Sequence, residues 1–289
     1  MAADRIITGF DGSAPGRAAA HWAAREAVRE GLPLDVLRAG SREPRRGREE
    51  PAAEAEADGL RARFPGLEVR VVHAPEDPVV ALAAASERAA LLVLGSRGLG
   101  SLRGFLTGSV SQRVLGAAHC PVVLVRARAG TRSEEPAREP VREPVREPRG
   151  VTAGLDLAHP CDPVLDFAFR TTARRREPLT VVHAWGPPAG TEYLHFGSIG
   201  GQEKQQAADA RRALDEALAP WREHHPEVPV STEVLMGHAG ITLVDAAAGT
   251  GLLVIGARRH RNPVGAHLGP VAHAVIHHAP CPLAVVPLH

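Results

Sequence analysis

The chain predicts an α/β protein of two similar domains, each a parallel sheet flanked by helices. Three observations carry this. Short apolar runs of strand length alternate with longer stretches whose apolar residues recur at helical spacing, the pattern of strand–helix–strand units with right-handed crossovers. The plan of the first 126 residues begins again at Val151: Asp11 and Asp156, Trp22 and Phe167, Ala39 and Ala184 each lie 145 positions apart, as one long internal duplication requires. Between the copies, Arg138-Glu139-Pro140 recurs as Arg142-Glu143-Pro144 and Arg146-Glu147-Pro148. Proline every fourth residue prevents a stable helix and the charges prevent a core, so residues 127–150 read as a semi-rigid linker between domains 1–126 and 151–289.

The elements follow in order. Arg5–Phe10 is a strand running into Asp11-Gly12-Ser13. Ala14–Glu30 is a helix with Ala19, Trp22, Ala23 and Ala27 on one face, ended by Gly31. Leu34–Ala39 is the second strand, and Ser41–Glu50 is polar, charged and expected to be mobile. Glu54–Phe64 is a helix stopped by Pro65-Gly66, Leu67–His73 a third strand, and Pro78–Arg88 a helix. Leu91–Leu94 is a fourth strand, too short for a helix. A glycine- and hydroxyl-rich loop runs from Gly95 to Ser109 and a helix from Val110; His119-Cys120-Pro121 stops it before the strand Val122–Val125. In the second copy the offset grows from 145 to 161, as Gly95 to Gly256 and Cys120 to Cys281 show. The net insertion is expected mostly in the loop Gly186–Gly201.

Composition bounds the function. Hydrophobic residues are 44% of the chain and aromatics 3%, so the cores must be built from Ala, Val and Leu. With 34 basic and 33 acidic residues the net charge is +1, which gives no global attraction to nucleic acid or an anionic membrane. No apolar run is long enough to span a bilayer and no leader pattern opens the chain; a cytoplasmic protein is expected. Three cysteines make no disulfide framework. No second ligand pair of metal spacing accompanies His119-Cys120. Cys161 lies near His159 with nothing in the sequence to orient them. His119 and His273 fall in helices after their glycine loops, in packing or surface roles, and His224-His225 and His277-His278 read as surface residues at helix ends.

The order strand, glycine loop, helix suits phosphate. Glycines admit close backbone approach, and a helix N-terminus offers unpaired N–H groups with partial positive charge. The sole lysine is Lys204, so no Walker loop is present. A dinucleotide fingerprint starting at Gly98 and Gly100 fails at Arg103. The spacing that holds is Gly95-x2-Gly98-x9-Gly108-Ser109. The plain alternative is a glycine-rich surface loop leading to a capped helix.

That spacing resembles the nucleotide-binding motif of the universal stress protein family, G-x2-G-x9-G-(S/T), at every fixed position. With the duplication, nearly the whole chain resembles a tandem member. The resemblance implies Rossmann-like domains of the adenine nucleotide alpha hydrolase type, each with a five-stranded parallel sheet, and ATP, ADP or AMP at the carboxyl ends of the strands. In the first copy it places Gly9, Phe10 and Asp11 near the adenosine, Ala39 facing the adenine, and Ala74 in the turn after strand three. Gly95, Ser96, Arg97, Gly98, Gly108, Ser109 and Val110 would wrap ribose and phosphates. Asp11 has two open readings: a contact to the nucleotide or its Mg²⁺, or a cap on the following helix.

The second copy keeps Asp156, Ala184, Gly256 and Gly269, but Arg259 replaces the middle glycine and Pro270 the serine. Proline removes an N–H and the hydroxyl. Gly12-Ser13 becomes Leu157-Ala158. Arg258, Arg259, His260 and Arg261 could hold phosphate by side chains, or form a solvated loop. A weakened or empty second site is expected. The implied function is a nucleotide-dependent stress or regulatory protein; a slow ATPase or phosphotransferase at the first site and a nucleotide-free scaffold stay open as alternatives. The family also implies pairing of Val122–Val125 with Leu283–Val286 within one chain, and a homodimer.

Overall fold

A computed structural model describes residues 4–40, 50–96, 109–127, 148–186, 199–258 and 268–288. The chain forms two compact units that part between Pro148 and Arg149. The stretches 41–49, 97–108, 128–147, 187–198 and 259–267 lie outside the described residues. They hold most of the linker, the charged segment after the second strand, and Arg97, Gly98, Gly108, Arg259, His260 and Arg261.

In the first unit the order is β1 (Ile6–Gly9), α1 (Ala14–Glu30), β2 (Leu34–Ala39), α2 (Glu50–Arg63), β3 (Val69–Ala74), α3 (Pro78–Ser86), β4 (Leu91–Ser96), α4 (Ser109–Ala117) and β5 (Val122–Arg126). The strands line up β3-β2-β1-β4-β5, every pairing among them parallel. β3 is largely exposed, whereas β1, β2, β4 and β5 are buried on both faces, as Ile6, Leu34, Val36, Leu92, Val93 and Val123 are each fully inaccessible. Continuous apolar runs therefore replace the alternation of a half-exposed sheet. The chain reverses direction across the sheet between β1 and β4, which opens a crevice at their carboxyl ends.

The helix ends follow local chemistry. Ser13 caps α1, its hydroxyl accepting from Gly16 N–H at 3.1 Å. Gly31 closes α1 with φ 65°, a left-handed conformation that costs a non-glycine residue about 1–2 kcal/mol. Asp77 caps α3 by accepting from Val79 N–H at 2.9 Å. β4 runs two residues beyond the expected Leu94, because Gly95 and Ser96 pair with Val125 and Arg126 of β5. His119 lies past α4 rather than in it, and its backbone N–H donates to Ser86 Oγ at 2.9 Å.

At the opposite end of the sheet, Asp35, nearly buried, accepts from Arg5 at 2.9 Å and from Arg70 at 3.3 Å. The bond to Asp35, with a second to Asp4 at 3.0 Å, holds the Arg5 guanidinium well above its usual range. Burial pushes the Cys120 thiol up to about 12, so it is an inert small core residue, as its place before a strand suggested.

The second unit repeats the plan: β6 (Val151–Gly154), α5 (Asp162–Arg175), β7 (Leu179–Trp185), α6 (Ile199–His224), β8 (Val230–Met236), α7 (Ala239–Ala246), β9 (Leu252–Arg258), α8 (Pro270–His278) and β10 (Leu283–Leu288). Its parallel order, β8-β7-β6-β9-β10, matches the first unit strand for strand. Each unit is thus a five-stranded α/β sheet, as expected. α6 has 26 residues where α2 has 14; the loop Gly186–Gly201, expected to hold most of the net insertion, lies largely outside the described residues. His225, expected at the surface, stacks at 5.5 Å on fully buried Phe169, which Trp221 meets at 5.9 Å. Arg176 occupies the place of Gly31 with φ 53°.

Candidate functional site

The crevice of the first unit holds a cavity of about 280 Å³. Gly9, Phe10 and Asp11 line it from the end of β1, Leu37 and Ala39 from β2, and Leu94 and Gly95 from β4. Pro78 and Leu82 of α3 close one side, Ser13, Pro15 and Gly16 another, and Ser109, Val110 and Ser111 bring in the first turn of α4.

Two glycines create the space. A Cβ on Gly95 would lie 2.5 Å from the Pro15 carbonyl carbon and 2.7 Å from Gly16 N, so only glycine lets β4 pass the start of α1. A Cβ on Gly9 would lie 2.8 Å from Leu94 Cδ2. The turn between β1 and α1 is built from three linked bonds. Asp11 Oδ1 accepts from Ser13 N–H at 3.0 Å, Ser13 Oγ accepts from Gly16 N–H, and Arg17 donates to Gly12 O at 2.6 Å. Asp11 therefore does not cap the helix directly. It orders the turn, Ser13 caps, and the carboxylate faces the cavity.

The first turn of α4 contributes its orphan N–H groups and the positive end of the helix dipole. Ser111, 6% exposed, hydrogen-bonds Gly95 O at 3.5 Å, a long bond that leaves its hydroxyl weakly held at the cavity wall. Apolar walls on the β2 and α3 side face polar groups on the α4 side. Such a cavity can take a flat apolar group at one end and an anionic group at the other.

Of the residues singled out in the first copy, Gly9, Phe10, Asp11, Ala39, Gly95, Ser109 and Val110 come together here. Ser96 does not: it is 2% exposed, and its hydroxyl donates to Val125 O at 3.4 Å, away from the cavity. Ala74 pairs with Ala39 in register, beside the lining. Sequence reasoning missed Ser13, Pro15, Gly16, Leu37, Pro78, Leu82, Leu94 and Ser111. Leu37 was within reach, since residues two apart on a strand share a face.

The corresponding region of the second unit keeps the turn and changes its surroundings. Asp156 Oδ1 accepts from Ala158 N–H at 3.2 Å, as Asp11 accepts from Ser13. Ala158 has no hydroxyl to cap with, and α5 begins only at Asp162, behind Cys161, which makes no side-chain cap. Arg258 donates to Asp156 Oδ2 at 3.4 Å, and His159 Nδ1 meets the same oxygen at 2.8 Å. His159 is thus oriented after all, by Asp156. Burial, with Asp162 and Asp156 nearby, pushes the Cys161 thiol up, which opposes a nucleophilic thiolate. Gly269 caps α8 through backbone alone, with Pro270 next. A Cβ on Gly256 would meet side-chain ends, Leu288 Cδ1 at 2.7 Å and Val164 Cγ2 at 3.0 Å, not backbone. Ala184 is half-buried on β7, paired with Leu235.

Among the described residues no three His, Cys, Asp or Glu groups are placed to hold a metal ion together, and no helix is long and apolar enough to cross a membrane.

Known proteins agree with this architecture. The sequence model of the universal stress protein family matches residues 2–126 and 149–287. A universal stress protein of Mycobacterium tuberculosis is 29% identical over 298 residues, covering 97% of this chain and 96% of the relative. One of Mycolicibacterium smegmatis is 29% identical over 302 residues, with 97% and 96% covered. Among solved structures, a universal stress protein from Archaeoglobus fulgidus superposes with a TM-score of 0.65 at 16% identity, covering 99% of both chains. A putative universal stress protein from Pseudomonas aeruginosa gives 0.65 at 16% identity, covering 99% of this chain and 94% of the other. With the family model matching both repeats over most of the chain, the chain belongs to the universal stress protein family.

Proposed function

We propose that the first unit binds an adenine nucleotide, ATP foremost with ADP or AMP as lesser ligands, and that the second unit binds it weakly or not at all. The protein then acts as a nucleotide-dependent regulator in a stress response, in the cytoplasm; Cys120, Cys161 and Cys281 form no disulfide, which suits a reducing compartment. The observation that carries the reading is the first unit's cavity, which sets Ala39 and Leu37 at one end and the start of α4 at the other. Its 280 Å³ lies near the lower end of the ~300–1,000 Å³ typical of ligand pockets, enough for the adenosine part. The phosphates would extend toward Ser109 and the N-terminus of α4. Asp11, which lines the cavity, would join a Mg²⁺ shell completed by phosphate oxygens and water.

In the second unit the same reading meets obstacles. Pro270 offers no N–H, Ala158 no hydroxyl, and Arg258 is paired with Asp156. Nucleotide would stabilise the first unit by mass action, about 2.7 kcal/mol at one hundred times Kd.

The test is to denature the purified protein, identify released nucleotide by mass spectrometry and count it per chain. About one adenine nucleotide per chain, lost in Asp11→Ala and kept in Asp156→Ala, is expected. Two per chain would overturn the asymmetry. None, together with no shift in melting temperature on titration with ATP and Mg²⁺, would overturn nucleotide binding itself.

A further inference from the structure

The turn that carries Asp11 into the first crevice is held by a residue outside the cavity lining. Arg17, in the first turn of α1, donates from Nη1 to Gly12 O at 2.6 Å. A charged donor makes the stronger kind of hydrogen bond. The bond closes the one link of the turn that its own side chains do not supply. Asp11 takes Ser13 N–H and Ser13 takes Gly16 N–H, while Gly12, with φ 76°, stands between them. Packing does not explain Arg17, which is exposed. Helix stability does not explain it either, since a cation near the start of α1 opposes the helix dipole. Its charge is met from a second side: burial pushes the Glu56 carboxyl of α2 up, and Arg17 acts against that shift. The guanidinium therefore stands between α2 and the crevice turn. The second copy lacks this bond. Asp162 lies 145 positions after Arg17 and opens α5, and an ionised carboxylate has no donor to give the turn. There the turn aspartate, Asp156, is held by His159 and Arg258.

From this contrast we infer that Arg17 is a positioning residue of the first unit's site: by holding Gly12 O it fixes the turn so that Phe10, Asp11 and Ser13 face the cavity together. The inference deepens the adenine-nucleotide reading and rests on it for the identity of the ligand. Asp11 itself is exposed, so its carboxylate stays at the cavity only while the backbone beneath it is held. A turn that is loose in the free protein must be ordered at each binding event, and that ordering subtracts from affinity. A turn fixed in advance avoids the loss. Arg17 acts through the turn and touches no ligand, and Glu56 partly balances its charge.

The test compares the full chain with Arg17→Met and Arg17→Lys, first without ligand. The Ser13 amide reports the bond that Asp11 accepts. Its hydrogen exchange, followed by nuclear magnetic resonance, should be about three- to tenfold faster in Arg17→Met, the weight of one hydrogen bond. Arg17→Lys should restore most of the protection, because an ammonium can donate the same single bond. Calorimetric titration with ATP and Mg²⁺, and separately with adenosine, should show both ligands weakened about three- to tenfold in Arg17→Met and recovered in Arg17→Lys. Unchanged melting temperatures show that the folds are intact. Adenosine carries no phosphate for a cation to attract. Weakening of ATP alone, with Ser13 exchange as in the parent, would make Arg17 a phosphate ligand and overturn the positioning role. Exchange and affinities indifferent to both substitutions would overturn it as well. A parent that binds neither ATP nor adenosine would overturn the nucleotide reading, and the Ser13 amide would still decide whether Arg17 holds the turn.

Discussion

α1 and α5 begin with the same turn and end it differently. In both, an aspartate at the close of the first strand accepts a backbone N–H two residues on. Ser13 then caps, and α1 starts at Ala14; Ala158 has nothing to cap with, and α5 starts at Asp162. The capping hydroxyl is present in the copy whose helix starts at the crevice and missing in the other. The aspartates diverge as well. Asp11 faces a cavity, whereas Asp156 is engaged by His159 and Arg258. Duplicated backbones can thus share a turn while their side chains build an open site in one copy and an ion-paired surface in the other.

The strongest way to break this comparison is through the paired glycines. Gly95→Ala sets a methyl against the Pro15 backbone at 2.5 Å, which cannot give way, whereas Gly256→Ala meets side-chain ends that can rotate. Urea unfolding should show a loss of about 3 kcal/mol for Gly95→Ala and about 1 kcal/mol for Gly256→Ala. Equal losses would mean that the two crevices are equally tight. A smaller effect is expected at the caps. Ser13→Ala should cost about 1 kcal/mol, and Ala158→Ser should slow amide hydrogen exchange over residues 159–162 by extending α5 toward the crevice. No change in that exchange would show that Pro160 and Cys161, not the missing hydroxyl, set the start of α5. The smallest effect concerns the helix ends. Arg176→Gly should stabilise the second unit by about 0.5–1 kcal/mol, and Gly31→Arg should destabilise the first by about as much, because both positions are left-handed. Thermal unfolding would check both signs.

Much of the fold was legible because its signals are local. Strands of four to seven residues stand out as apolar runs between Gly, Pro and charged clusters. Gly31 and Pro78 mark helix ends by their backbone preferences. The site was legible where a residue type carried its own reason, as with Gly9, Asp11, Gly95 and Ser109. It was not where a residue enters the cavity through position alone: Pro15 and Gly16 line it because β4 passes there, and Ser111 because α4 turns it inward. Ser96, chosen for its place in the motif, is drawn into the sheet by Val125, 29 residues away.

By itself the sequence determined the α/β alternation, the duplication, the repeated Arg-Glu-Pro tripeptides and the unequal motifs, since each depends on spacing, turn chemistry or composition along the chain. Only the tertiary structure decided that β4 extends to Ser96, that Arg258 reaches Asp156 across 102 positions, that α6 outgrows α2, and that two histidines of α8 meet at 4.3 Å. Those outcomes rest on which strands pair and which side chains then meet. That is a property of the closed packing, not of any local stretch of chain.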